Sequence, residues 1–129
     1  MKRVWLDVRD VAAFHAGQIE EFGGQPGIRD QGLLESTVAR PRNRDACEKA
    51  SLFDLAAAYA FGIARNHPFI DGNKRTALVS AFAFLHLNGW QVEAPEADAV
   101  VVFYSLAEGK LAERALAAWM QKNSVRRRS

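Results

Sequence analysis

The chain has 129 residues, 49% of them apolar and 25% charged, with one cysteine and a formal charge of +2. That is one domain's worth of sequence, able to bury a core without disulfides or metal, and its composition excludes disordered and low-complexity classes. Three of the 17 basic residues are Arg126, Arg127 and Arg128; the other 14 face 15 acidic residues. The body therefore has no basic surplus of the kind a general nucleic-acid or membrane-surface binder needs. Cys47 alone permits no intramolecular disulfide and no cysteine-based zinc site. Asp7 and Asp10 interrupt any N-terminal apolar stretch, and the run from Leu55 to Ala64 is too short to span a bilayer. A cytoplasmic location is expected.

Val8, Val11, Ala12, His15, Ile19 and Phe22 recur at helical spacing and predict a first amphipathic helix, with Asp7 as N-cap and Gly23-Gly24 as its stop. The stretch GGQPGIRD, residues 23–30, reads as a turn or short hairpin. Asp30 suits the cap of a second helix running through Arg40 and ended by Pro41, followed by a polar loop from Arg42 to Asp45. Residues 46–66 and 74–88 are apolar nearly all round, the mark of two buried central helices. Asn88-Gly89 supplies a helix stop, and Trp90 to Val92 is a candidate strand. Pro95 opens a further helix to about Glu108. Gly109 then separates it from a last helix with Leu111, Ala115, Ala118 and Trp119 on one face. The expected class is all-α with about six helices. The expected organisation is one domain over residues 1–125, with residues 126–129 a basic, disordered tail. Cys47, His15, His86 and the three tryptophans read as packing residues.

The connection between the two central helices is where the chemistry concentrates. His67-Pro68-Phe69-Ile70-Asp71-Gly72-Asn73-Lys74-Arg75 brings His, Asp, Asn, Lys and Arg together between the two most apolar stretches. Buried polar groups left unpaired cost about 1–3 kcal/mol each, so a plain connector would avoid such a set. Gly72 permits a tight turn. Asn73, Lys74 and Arg75 would then start a helix, where free N–H groups and the helix dipole favour an anion. Lys74 and Arg75 suit phosphate oxygens, Asp71 is a hard ligand for Mg²⁺, and His67 suits a general base. Each residue also has a plain structural reading. Asp71 could be an N-cap, Asn73 an Asx-turn former and His67 a satisfied core histidine, with Lys74 and Arg75 as solvated charges. The combination points to phosphoryl or nucleotidyl transfer.

HPFIDGNKRTA resembles the signature of the Fic/Doc family, HPFx(D/E)GNGRxxR, agreeing at His67, Pro68, Phe69, Asp71, Gly72, Asn73 and Arg75. Lys74 stands where most Fic proteins have Gly, and Leu78 where they have a second Arg. Both departures resemble the Doc branch, the toxins of toxin–antitoxin modules, and GGQPGIRDQGLLESTVARP resembles the family's flap and following helix. The resemblance implies the all-α Fic fold, with the motif loop between two central helices. It implies a kinase that transfers the γ-phosphate of ATP, with Mg²⁺, to a threonine of elongation factor Tu. An antitoxin helix bound in a groove would silence it. His67 would deprotonate the target hydroxyl, Asp71 would hold the metal, and Gly72, Asn73, Lys74 and Arg75 would bind phosphate, with Lys74 also stabilising the transferring charge. Arg65 would add a phosphate contact, or serve only as a charge at a helix C-terminus. Gly27, Ile28 and Arg29 of the flap would position the target, by strand addition. A side chain at Lys74 occupies space that Gly leaves to the nucleotide, which fits a reversed nucleotide. AMP transfer to a protein hydroxyl and a catalytically idle binding module are the alternatives. The family's inhibitory helix pattern is approached only by Ser105 to Gly109, one residue short, so control by a separate protein is expected.

Overall fold

A computed structural model describes residues 2–128; the first and last residues of the expected domain and tail lie outside the described residues. Helix α1 (Val8–Phe22) begins as its sequence requires. Asp7 accepts the Asp10 amide while the Asp10 carboxylate accepts the Asp7 amide, a reciprocal capping box. Gly23 ends the helix with its amide on the Ile19 carbonyl and a φ of 83°, in the region glycine tolerates. Asp30 caps α2 (Gln31–Cys47) through the Leu33 amide.

Helix α2 does not stop at Pro41. It runs six residues further, through the expected loop 42–45, and ends at Cys47, which is exposed and not buried. A proline inside a helix removes one backbone bond and costs about 3 kcal/mol. Tertiary ties on either side of the gap offset this. Arg40 forks onto Glu113 at 2.8 and 3.2 Å, and Arg44 reaches the same carboxylate at 3.0 Å. Pro41 itself is buried with Leu34, Thr37 and Val38. The helix passes so close to its neighbour there that a Cβ on Gly62 would lie 2.8 Å from Thr37 Cγ2.

The first central helix, expected over residues 46–66, is α3 and begins only at Leu52 (Leu52–Asn66), where Ser51 and Asp54 form another capping box. Leu55 through Ala60 are all buried, and α3 contacts α2, α4 (Asn73–Leu87), α5 (Glu96–Ala107) and α6 (Glu113–Lys122). Small side chains make this possible: Ala56, Ala57, Ala58, Ala60 and Ala64 on α3, and Ala77 and Ala81 on α4, are fully buried. Phe84, Leu85, Phe103, Leu116 and Met120 fill the remaining core. The fully buried face of α6 is Leu116, Ala117 and Met120; of the expected Leu111, Ala115, Ala118 and Trp119, Leu111 and Trp119 pack half-buried against the core and the two alanines are exposed. The helix starts four residues after Gly109, at Glu113, and its inward face follows the Leu116–Met120 spacing. His86, expected inside, is exposed near the end of α4.

Trp90–Val92 does form a strand, β1, and its partner is β2 (Ser124–Arg126), antiparallel, with Trp90 opposite Arg126. The tail expectation is corrected accordingly. Arg126 stacks on Trp90 at 5.3 Å, while Arg127 donates from its amide to Gly89 O and from Nε to His86 O. Among the described residues, six helices and this one short pair make an all-α domain. Among the described residues no helix is long and apolar enough to cross a membrane.

Tyr59 joins the N-terminal segment to the core. Its hydroxyl accepts the Leu6 amide and donates to the Leu6 carbonyl, and burial pushes its pKa up to about 12. Tyr59→Phe strands both Leu6 groups, so chemical denaturation should show a loss of about 1–3 kcal/mol. The raised value favours the protonated folded form. Wild-type stability should therefore fall as pH rises from 10 towards 12, and the variant should lack that component.

Candidate active site

The motif loop is held from three directions. Within it, Asn73 is buried, with Oδ1 accepting the Phe69 amide and Nδ2 donating to the Phe69 carbonyl, at 3.1 and 3.0 Å. Phe69 is itself buried and lies flat on the His15 ring, centroids 3.9 Å apart. From the flap, Ile28 pairs with Phe69 as an antiparallel bridge: Ile70 N donates to Gly27 O, and Arg29 N donates to Pro68 O. From α1, His15 Nε2 lies 2.8 Å from the Asp71 carbonyl oxygen.

His67 caps α3 in the left-handed region, at φ 52° and ψ 59°. Such a conformation costs a non-glycine residue roughly 1–2 kcal/mol. Arg29 stabilises this turn by donating from Nε to His67 O at 2.6 Å and from Nη2 to Asn66 O at 2.8 Å, thereby capping the α3 C-terminus. The imidazole of His67 is exposed and has no hydrogen-bond partner among the described residues.

Gly72, at φ 76°, is the N-cap of α4 and brings no capping side chain. The first helical bond runs from Thr76 N to Gly72 O. The amides of Asn73, Lys74 and Arg75 thus precede the helical ladder and form the positive end of α4. Asp71 lies alongside, its Oδ2 accepting the Gln25 amide and its Oδ1 the Gly72 amide. These two donors hold its carboxyl below the usual carboxylate range, with smaller help from the charges of His15 and Lys74. Gly24 is needed here, since a Cβ would come within 2.9 Å of Asp71 Oδ2.

These groups open onto a cleft of about 410 Å³ lined by His67, Asp71, Gly72, Asn73, Lys74 and Arg75, with Leu78, Val100, Phe103 and Tyr104 as its apolar wall. Lys74 Nζ rests over the Tyr104 ring at 4.5 Å, and the Arg75 guanidinium over Phe22 at 4.1 Å. Two sequence expectations change. Arg65 does not line the cleft; its guanidinium packs over Phe61 at 5.6 Å and against Gly109. Asn73 turns its side chain inward, so only its amide can meet an anion. A larger groove of about 840 Å³ runs beside α2 and α6, but its Arg40 and Arg44 are already paired with Glu113 and, for Arg44, with Glu48. The roles of His15, Arg29 and the Gln25 amide were not legible in sequence. His15 sat unremarkably on an apolar stripe, and an amide carries no residue signal.

A family model described as Fic/DOC family matches residues 5–85 of the chain. The chain belongs to the Fic/DOC family. It is 48% identical over 94 residues to a Mycolicibacterium smegmatis protein named Toxin Doc, covering 70% of this chain and 68% of that one. It is 42% identical over 93 residues to Protein kinase doc of Escherichia phage P1, covering 70% of this chain and 74% of that one. The Fic/DOC match contains the flap, the motif loop and nearly all of α4, which supply the polar side of the cleft, while the apolar wall from α5 lies beyond it.

Two outcomes test this Fic/DOC site. Asn73→Ala leaves the buried Phe69 amide and carbonyl unpaired, and urea unfolding should show a loss of about 1–3 kcal/mol. Asp71→Asn removes a carboxylate whose pKa is lowered by folding. Its deficit in Tm against wild type should be full above the ordinary value of 3.8 and should shrink as pH falls through the lower folded value.

Proposed function

We propose that the chain is a Doc-type toxin that transfers the γ-phosphate of ATP to a threonine hydroxyl of elongation factor Tu and is neutralised by an antitoxin. The observation that carries this reading is Lys74. Its side chain leaves the first turn of α4, where free amides favour an anion, and its ammonium rests over Tyr104 in the wall of the cleft that the unpaired His67 ring also lines. The similarity to a protein named as a kinase supports phosphate transfer, and the similarity to a protein named as a toxin supports a cognate antitoxin. An antitoxin helix laid along α5 would cover Val100, Val101 and Tyr104, all exposed beside the cleft.

Mg²⁺ fits the donor set. Asp71 is an exposed, ionised hard oxygen donor beside an anion-binding helix end. Among the described residues no three His, Cys, Asp or Glu side chains converge. The remaining ligands would be phosphate and water oxygens, as Mg²⁺ prefers. When bound, the ion would neutralise phosphate charge. His67 takes the proton of the target hydroxyl. The hydroxyl oxygen bonds to the γ-phosphorus as the bond to the β,γ-bridging oxygen breaks, and ADP departs. The Lys74 ammonium and the amides of Asn73, Lys74 and Arg75 stabilise the phosphate charge. Leu78 leaves that wall of the cleft without a second arginine, in keeping with phosphate rather than AMP transfer. In the flap, pairing runs through Gly27 O and Arg29 N, which turns the Ile28 amide and carbonyl outward. A target strand could add there.

The test is intact mass measurement of elongation factor Tu after incubation with the protein, ATP and Mg²⁺. A phosphate adduct is expected. His67→Ala and Lys74→Gly should each slow its appearance by about 100-fold or more. An AMP adduct would replace this reading with nucleotidyl transfer. No adduct, together with undiminished toxicity of His67→Ala, would overturn both.

A further inference from the structure

Among the described residues, His15 is the one buried titratable side chain at the site that the proposed chemistry does not use. It is 4% exposed, its ring lies within 5° of parallel to Phe69, and its Nε2 meets the main-chain oxygen of Asp71 at 2.8 Å. A carbonyl oxygen only accepts, so Nε2 carries the proton. The same ring lies beneath Gly72, where a Cβ would sit 3.6 Å from His15 Cδ2. The ring therefore meets the loop at three places: the Phe69 side chain, the Asp71 carbonyl and the Gly72 backbone.

We infer that His15 is a positioning residue: it fixes the peptide between Asp71 and Gly72, so that the Asp71 carboxylate and the N-terminus of α4 face the cleft together. The geometry is tightly linked. With the Asp71 carbonyl directed into α1, the opposite edge of that peptide, the Gly72 amide, turns onto Asp71 Oδ1. That bond and the Gln25 amide on Oδ2 set the orientation of the carboxylate. Releasing the carbonyl frees the peptide to rotate, and glycine at position 72 offers it many alternative conformations. A bulky apolar residue at position 15 would fill the space as well as histidine but could not hold the carbonyl. The consequence for activity rests on the proposed phosphate transfer; the positioning itself does not.

The experiment uses three proteins: wild type, His15→Phe, which keeps a flat ring against Phe69, and His15→Gln, which keeps an N–H donor. Amide hydrogen exchange at Gly72 and Gln25 is read without nucleotide, with Leu85 in the core as reference. Exchange at Gly72 and Gln25 should quicken about tenfold in His15→Phe, recover towards wild type in His15→Gln, and stay constant at Leu85. Equal exchange at Gly72 in wild type and His15→Phe would overturn the inference. A second measurement needs no variant: ¹⁵N spectra of wild type should show His15 protonated at Nε2, and a neutral Nδ1–H tautomer would also overturn it. In the transfer assay, His15→Phe should raise the Mg²⁺ concentration for half-maximal rate about tenfold, with His15→Gln intermediate. An unchanged Mg²⁺ requirement with altered exchange would overturn the link from this loop to metal binding. Absence of transfer by wild type would count against the proposed reaction alone, since exchange and tautomer are read without it.

Discussion

The pair of hydrogen bonds between the Asn73 side chain and the Phe69 backbone is the constraint on which the site depends. It ties the first residue of α4 to the middle of the preceding loop and leaves little freedom for the residues between. Phe69 is driven inward by its apolar ring, and its backbone would be stranded there without Asn73. One buried side chain thus satisfies two buried main-chain groups and sets where α4 begins. The position of the three free amides at that helix start follows from it.

Around this brace the surrounding elements act mainly on the backbone, with the Phe69 ring and the Asp71 carboxylate the side chains they also hold. Arg29 reaches the last carbonyls of α3, His15 reaches the Asp71 carbonyl, and the flap pairs with Pro68 and Ile70. The side chains that face the cleft, His67, Asp71, Lys74 and Arg75, are therefore carried on a fixed main chain while remaining exposed. The alanine-rich faces of α3 and α4 serve the same end from below, because small side chains let the two helices pack closely beneath the loop. Precision comes from buried main-chain bonding, and access comes from exposed tips.

The sequence made the motif loop, its flanking helices and the caps at Asp7 and Asp30 legible because each is a local signal. Spacing, apolar runs and capping residues act within a few positions of themselves. What escaped was long-range. Pro41 reads locally as a stop, and only Glu113, 72 residues further along, explains the helix that crosses it. The strand at Ser124–Arg126 has meaning only beside Trp90–Val92. Within the site the residue set was largely visible, but not its directions. Arg65 stacks on Phe61 outside the cleft and Asn73 turns inward, and no one-dimensional pattern distinguishes those orientations. Cys47 departs from expectation for a related reason. Its residue type favours burial, whereas its place at the exposed end of α2 depends on that helix continuing past Pro41.

The left-handed turn at His67 has an electrical consequence. It places His67 directly after the last turn of α3, whose final carbonyls are occupied by the Arg29 guanidinium, while Gly72 opens α4 with its first amides free. The two helix ends that frame the loop are therefore unlike: the negative one is already answered by a cation, and the positive one, roughly half an elementary charge, is left open. In the proposed reaction the charge building on the phosphoryl group meets that open end, and the loop supplies this asymmetry before any substrate arrives.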